Sequence, residues 1–474
     1  MTNDLSCFFQ PEGVAVIGAS NRTGSWGNRI TQGLIASRYP GALYPVNSTT
    51  DNVLGLKAYP GLREIPGPVD LAVVAIPAES LWKTLEDCAL KGVKGVVIIS
   101  SGFGEVKDEG KRLEERIAVF GRENNIRILG PNVSGIYDLH AGFYAAGGDP
   151  ERMIPSRMSF VCQGGFAVHN IVNHAYARGI GIGKFVQTGN EADLQSTDFV
   201  EFLGDDPHTE VILMYIEGLK DPKRFLKVAK EITPKKPIIF YKGGKSHDGS
   251  RAAASHTGAM AGSFDLYRAL IKQARCIMAT HFETILDFGK ALTYYPHLRG
   301  PRIGIATQGG SWGVMLTDQL SLKGFSVPEL SDSLQKDIRG LGFPSRASTK
   351  NPIDFGAAGE TFEIEKRVRI IECLLSSPEL DAVIIHGYGQ IGLTSESLPD
   401  WVTKWQEEEE EVLRKAVRLM GTYAKPLLIG SHITHFESAT IRNLVMGGIP
   451  VYNRLEDIID ILGALQVDGI NRFS

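Results

Sequence analysis

Short apolar runs that end in glycine turns and hand over to helices recur along the chain, and this pattern leaves few folds open. Val14-Ala15-Val16-Ile17 runs into Gly18, and a helical stretch from about Trp26 to Ser37 follows. Met158–Cys162 runs into Gln163-Gly164-Gly165 and a helix, and Arg302–Ala306 leads through Thr307 into Gln308-Gly309-Gly310 and another. An unbroken apolar strand has no polar face to show water, so it belongs in a parallel sheet covered by helices on both sides. Further strands are expected at Ala42–Val46, Leu71–Ile76, Gly95–Ser100 and Arg127–Leu129, then at Lys184–Gln187, Val211–Ile216, Pro237–Lys242 and Cys276–Ala279. The third block continues at Ala382–His386 and Pro426–Ile429. The expected class is α/β, with three doubly wound domains at 1–146, 147–297 and 298–474. The polar stretch Gly147–Ser156 and the segment His297–Pro301 serve as linkers.

The chain has 474 residues, too many for one ordinary core. A net charge of -4 with scattered basic residues gives no nucleic-acid footprint. No uncharged apolar run reaches the roughly 18 residues of a membrane span, and Met1 to Pro11 lacks the pattern of a secretory leader. The five cysteines are far apart with no CxxC pair, which argues against a zinc site or a disulfide framework and for the cytoplasm. The acidic run Glu407–Glu411 reads as a solvated helix face.

The turn Gly18-Ala19-Ser20-Asn21-Arg22-Thr23-Gly24-Ser25-Trp26-Gly27 lies between a strand and a helix. That is where backbone N–H groups and a helix dipole receive a phosphate. The spacing is not GxGxxG, and Tyr44-Pro45-Val46-Asn47 stands where a ribose-binding acid would end the next strand, so NAD is disfavoured. The residues alone leave two readings, a packed structural turn or a cradle for another nucleotide pyrophosphate such as CoA. Val14 to Gly27, Tyr44–Asn47, Ile76-Pro77, Ile99–Glu105 and Gly130-Pro131-Asn132 follow one another in order. Together they resemble the CoA-binding domain of the ADP-forming acetyl-CoA synthetases, relatives of succinyl-CoA synthetase. The resemblance implies a Rossmann-like CoA-binding domain followed by two flavodoxin-like domains. It implies CoA contacts from Gly18, Ser20, Arg22, Gly24, Ser25, Asn47, Pro77, Ser100, Ser101 and Asn132.

Ala252-Ala253-Ala254-Ser255-His256-Thr257-Gly258-Ala259 is poor in bulky side chains, and by chemistry alone His256 reads as an exposed loop histidine. The segment is similar to the phosphohistidine segment of the same family, which implies that His256 carries a phosphoryl group on a mobile loop. The family places a glutamate at a strand end to orient that ring, and Glu217 holds the matching position before Gly218. His247 lacks the motif and reads as an exposed loop residue. Gln163, Gly164 and Gly165, at a helix start, are candidate phosphate donors. The family reads Ser-Gln-Ser-Gly where this chain has Cys162-Gln163-Gly164-Gly165, so two hydroxyls are missing. Cys162 is either a thiol activated at a helix start or a buried, inert one. Asn190 matches a family Gly-Asn pair and is a candidate substrate contact.

Thr307–Gly313 and Asn351-Pro352-Ile353-Asp354 resemble the family's third domain, and Trp312 is unusual in such a turn. There is no Walker GxxxxGK[ST] sequence and no stretch resembling an ATP-grasp domain. ATP or ADP with Mg is therefore expected mainly on a partner, an ATP-grasp beta subunit, in a heterotetramer. No metal site is expected on this chain. The activity implied is an acid–thiol ligase that couples acyl-CoA, ADP and phosphate to acid, CoA and ATP. A CoA-binding scaffold without catalysis and a nicotinamide-dependent oxidoreductase are the alternatives.

Overall fold

The computed structural model describes residues 4–103, 108–173, 175–257, 263–358, 363–389 and 400–473. The chain divides into two compact units, Met1–Gly289 and Lys290–Ser474.

The first unit holds two large sheets. One is wholly parallel, in the spatial order Ala42–Val46, Gly13–Ile17, Leu71–Val74, Gly95–Ile98, Arg127–Leu129. Every residue of Gly13–Ile17, Leu71–Val74 and Gly95–Ile98 is buried, as strands covered on both faces must be. The other runs Ile277–Met278, Ile238–Lys242, Val211–Ile216, Met158–Cys162, Lys184–Gln187, then Gly135–Asp138 and Phe143–Ala146. Its first five strands are parallel and its last two antiparallel. Those two, from the end of the first block, therefore hydrogen-bond into the second sheet. Asp138 is register partner to Lys184, and its carboxylate lies 3.0 Å from the Lys184 Nζ, with Asp206 at 3.2 Å. A buried ion pair of this kind serves register more than stability.

One core cluster runs through both sheets. It takes in Val14 and Leu71 of the first and Val161, Val186 and Ile212 of the second. The short helix Ser6–Phe9 joins them, with Phe8 and Phe9 set edge-on to Phe199 at 6.3 and 6.2 Å.

The second unit has one parallel sheet, ordered Ile353–Asp354, Ile303–Thr307, Ala382–His386, Leu427–Gly430, Val451–Tyr452. In chain order the parallel strands of each large sheet fall as 2-1-3-4-5. Such a sheet binds ligands where the order reverses, at the C-terminal ends of strands 1 and 3. Those ends carry Gly18 and Ala75, then Gln163 and Glu217, then Gln308 and Gly387. In the second unit Trp312 fills this place, its ring 4.5 Å from His386 and 5.3 Å from His432. The acidic run Glu407–Glu411 lies in the long helix Asp400–Tyr423; Glu409 of that run is buried, accepts the Gly389 N–H and has its carboxyl pushed up to about 6 by burial. The solvated-face reading therefore fails at Glu409. Among the described residues no helix is long and apolar enough to cross a membrane.

Candidate functional site

The first switch point is shaped by close backbone approach. Gly18 has φ +87, and a Cβ there would lie 2.5 Å from the Ala75 carbonyl oxygen. A Cβ on Gly27 would lie 1.9 Å from the Gly18 carbonyl oxygen, so the helix Trp26–Ala36 meets the turn through a residue with no side chain. Ser25 caps that helix, accepting the Asn28 N–H and donating to the Arg22 carbonyl at 2.8 Å. Ser20 accepts the Arg22 N–H at 3.0 Å. Asn47 donates to the Ala19 carbonyl at 2.8 Å while its Oδ1 takes the N–H groups of Thr49 and Thr50.

These turns enclose a cavity of about 780 Å³. Gly18, Ser20, Arg22, Gly24, Ser25, Asn47, Pro77, Ser100, Ser101 and Asn132 all line it. Among the described residues its wall has no carboxylate and one cation, Arg22, and it receives a helix N-terminus, so it suits an extended anionic ligand. Asn47 and Ser20 shape the cradle through bonds to the chain itself, and Ser100 donates to the Ile76 carbonyl. Of the segment Ile99–Glu105, Gly104 and Glu105 lie outside the described residues.

The same cavity reaches the second switch point, where Gly165 lines it just ahead of the helix Phe166–Asn173. Gln163 and Gly164 do not line it. The Gln163 N–H donates to the Tyr215 carbonyl, and its Oε1 accepts the N–H groups of Glu217 and Gly218 at 2.8 and 2.9 Å. Gln163 thus fixes the strand end that presents Glu217. A Cβ on Gly164 would lie 2.6 Å from the Tyr215 ring, which leaves room for glycine alone. Glu217 is buried, and the Tyr215 hydroxyl donates to it at 3.2 Å. Lys242, also buried, lies over the Tyr267 ring at 4.8 Å. Burial lowers its ammonium pKa, opposed by the charge of Glu217.

His256 is not in a loop: its backbone belongs to the helix His247–Thr257, and His247 is that helix's exposed first residue. The small residues that suggested mobility are three alanines, the strongest helix formers, and the Ser246 Oγ accepts the Gly249 N–H at the helix start. Gly258 and Ala259 lie outside the described residues, as does the side chain of His256. Asn190 does not line the cavity. It accepts from Asn132 at 3.3 Å and donates to Glu114 at 2.6 Å, which ties the second sheet to the first. Cys162 is buried, and burial pushes its thiol pKa up, so the inert reading holds.

Sequence reasoning missed Ser134, His169 and Gln187. Ser134 and Gln187 line the cavity beside Gly165. The Ser134 Oγ lies 2.7 Å from His169 Nδ1, and the Ser134 N–H donates to Gln187 Oε1 at 2.5 Å. Burial lowers the His169 pKa to about 4, against the Gly147 carbonyl, which raises it. Unfolded chains take up that proton near pH 6.5, so the stability His169 lends is complete above pH 6.5 and lost as pH falls toward about 4. The loss is on the order of 3 kcal/mol for a histidine this buried. Denaturant titrations at pH 7 and pH 4.5 should show a smaller acid loss for His169→Gln than for the native chain; equal losses would refute this assignment.

Residues 12–138 match the family model described as CoA binding domain, and residues 155–292 match the succinyl-CoA ligase like flavodoxin domain. The alpha subunit of acetate–CoA ligase [ADP-forming] II of Pyrococcus furiosus is 37% identical over 470 residues, 98% of each chain. The acetate–CoA ligase [ADP-forming] of Methanocaldococcus jannaschii is 37% identical over 353 residues, which are 74% of this chain and 49% of that one. Among solved structures, the dinucleotide forming acetyl-coenzyme A synthetase 1 of Ca. Korarchaeum cryptofilum, in complex with phosphate and ADP, superposes with a TM-score of 0.89 at 31% identity. That match covers 99% of this chain and 98% of the other. With a CoA-type cradle, a second switch point at its far end and two alpha subunits matched along nearly their whole length, this chain belongs to the family of ADP-forming acetate–CoA ligase alpha subunits.

Proposed function

We propose that this chain is the CoA-binding, phosphoryl-carrying alpha subunit of an ADP-forming acyl-CoA synthetase. It acts in the reversible reaction of acyl-CoA, ADP and phosphate to acid, CoA and ATP. The observation that carries the reading is the single cavity that begins at the Ser25-capped helix and ends at Gly165. An anionic nucleotide end is held by Arg22 and the helix N-terminus, and a thioester end reaches the phosphate-binding turn. Phosphate attacks the thioester beside Gly165 and gives acyl phosphate and CoA. His256 then takes the phosphoryl group, with Glu217 orienting its ring, and the acid leaves. Transfer demands near-contact alignment, so the helix bearing His256 must carry the group to the nucleotide.

The nucleotide and Mg belong to an ATP-grasp beta subunit in a heterotetramer. Two facts support a separate nucleotide module: the relatives' designation as alpha subunits, and the match to about half of the Methanocaldococcus chain. The three-domain division at 1–146, 147–297 and 298–474 follows the three sheets, except that Gly135–Ala146 pairs into the second of them, and five unpaired cysteines support a cytoplasmic setting.

Calorimetry tests the cradle directly: CoA binds the chain, and NAD gives no heat. Tight NAD binding without CoA binding would overturn the reading. The scaffold alternative keeps CoA binding but puts no phosphate on His256.

A further inference from the structure

The cavity closes at its thioester end on groups that no motif singles out. Gln187 ends the strand Lys184–Gln187, is the register partner of Cys162 and lines the cavity together with Gly165. It does so although only 3% exposed. Its Oε1 accepts the Ser134 N–H at 2.5 Å. A backbone N–H is an obligate donor, so this bond fixes the sense of the amide, with oxygen on Ser134 and the NH2 group free to turn elsewhere. Among the described residues, none accepts a hydrogen bond from that NH2 group. Ser134 is itself fixed, because its Oγ is held at 2.7 Å by His169 Nδ1.

The Ser134–His169 pair has the outline of a nucleophile and its base. Burial holds the His169 pKa down at about 4, which makes the ring a weak proton acceptor at neutral pH. What the pair provides is a rigid mount for the amide.

We infer that Gln187 donates from Nε2 to the carbonyl oxygen of the bound thioester, as an oxyanion donor for its phosphorolysis. The inference rests on the proposed function. An oxygen of hydrogen phosphate attacks the carbonyl carbon, and the C=O π pair moves onto the carbonyl oxygen, where the Nε2–H meets it. The carbonyl then reforms and the C–S bond breaks. The thiolate takes the proton that the phosphate brought, which leaves acyl phosphate and the CoA thiol. A donor mounted before the reaction stabilises the charge without reorganising, which is why such groups act strongly.

Gln187→Glu is one test, because it keeps the size and the acceptor for Ser134 while it replaces the NH2 donor with a charged oxygen. In the complex with the partner chain, kcat from acyl-CoA and phosphate should fall by about 10²-fold or more. The calorimetric Kd for CoA should stay within about threefold. Phosphorylation of His256 from ATP through the partner, which involves no thioester, should run at the native rate. Gln187→Met, uncharged and similar in size, should show the same split, which separates loss of the donor from the carboxylate's repulsion of phosphate. A kcat within about threefold of native in either variant overturns the role of Gln187. A native chain that binds no CoA overturns the proposed function and this inference together.

Discussion

A His256→Asn chain, assembled with its partner, is expected to lose turnover by about 10³-fold or more, while it binds CoA and unfolds as the native protein does. Asparagine keeps the imidazole's rough size and polarity but has no nucleophilic ring nitrogen. Among the described residues the CoA cavity is lined from the two sheets, so its affinity should change by no more than about threefold. The native chain, given acyl-CoA and phosphate or ATP and partner, should gain a phosphate that is labile in acid and stable in base. The variant should gain none. Turnover that survives in His256→Asn would remove the phosphohistidine from the mechanism.

The second large effect is expected at Gly27. In Gly27→Val the new Cβ would lie 1.9 Å from the Gly18 carbonyl oxygen and 2.6 Å from its carbon, both backbone atoms. Neither can turn aside as a side chain would. The helix start must back away from the strand end by about an ångström, and a shift of that size is enough to lose roughly 10²-fold in a positioned contact. Calorimetry should show CoA affinity reduced by at least that factor. Overpacking should lower stability by about 1–3 kcal/mol. Native CoA affinity in Gly27→Val would mean that the helix N-terminus does not hold the ligand.

The strands were legible because a strand buried on both faces announces itself as an unbroken apolar run. Val211–Ile216, Met158–Cys162 and Lys184–Gln187 lie where the sequence predicts them. The CoA turn was legible through glycine, whose placement at Gly18 and Gly27 answers a backbone contact visible in three dimensions. Two things were hidden for definite reasons. Small residues around His256 suggest a mobile loop, yet a run of alanines favours helix, and the segment His247–Thr257 is helical. Ser134, His169 and Gln187 come from a loop, a helix and a strand, and no local spacing marks a triplet that only the folded sheet assembles. Gln163 and Asn190 were placed in the site by motif, and their hydrogen bonds make them ties between elements.

The antiparallel pair Gly135–Asp138 and Phe143–Ala146 leads the chain straight from the first sheet to the edge of the second, and both sheets share one core. Neither sheet can therefore open without exposing the other's apolar face. Free energy released when a ligand binds beside Gly18 is added to the unfolding free energy of the whole of Met1–Gly289, by RT ln(1 + [L]/Kd). The strand end that bears Glu217 is thus braced by a molecule that touches it nowhere. Slow amide exchange across both sheets would be the outward sign of that shared fate.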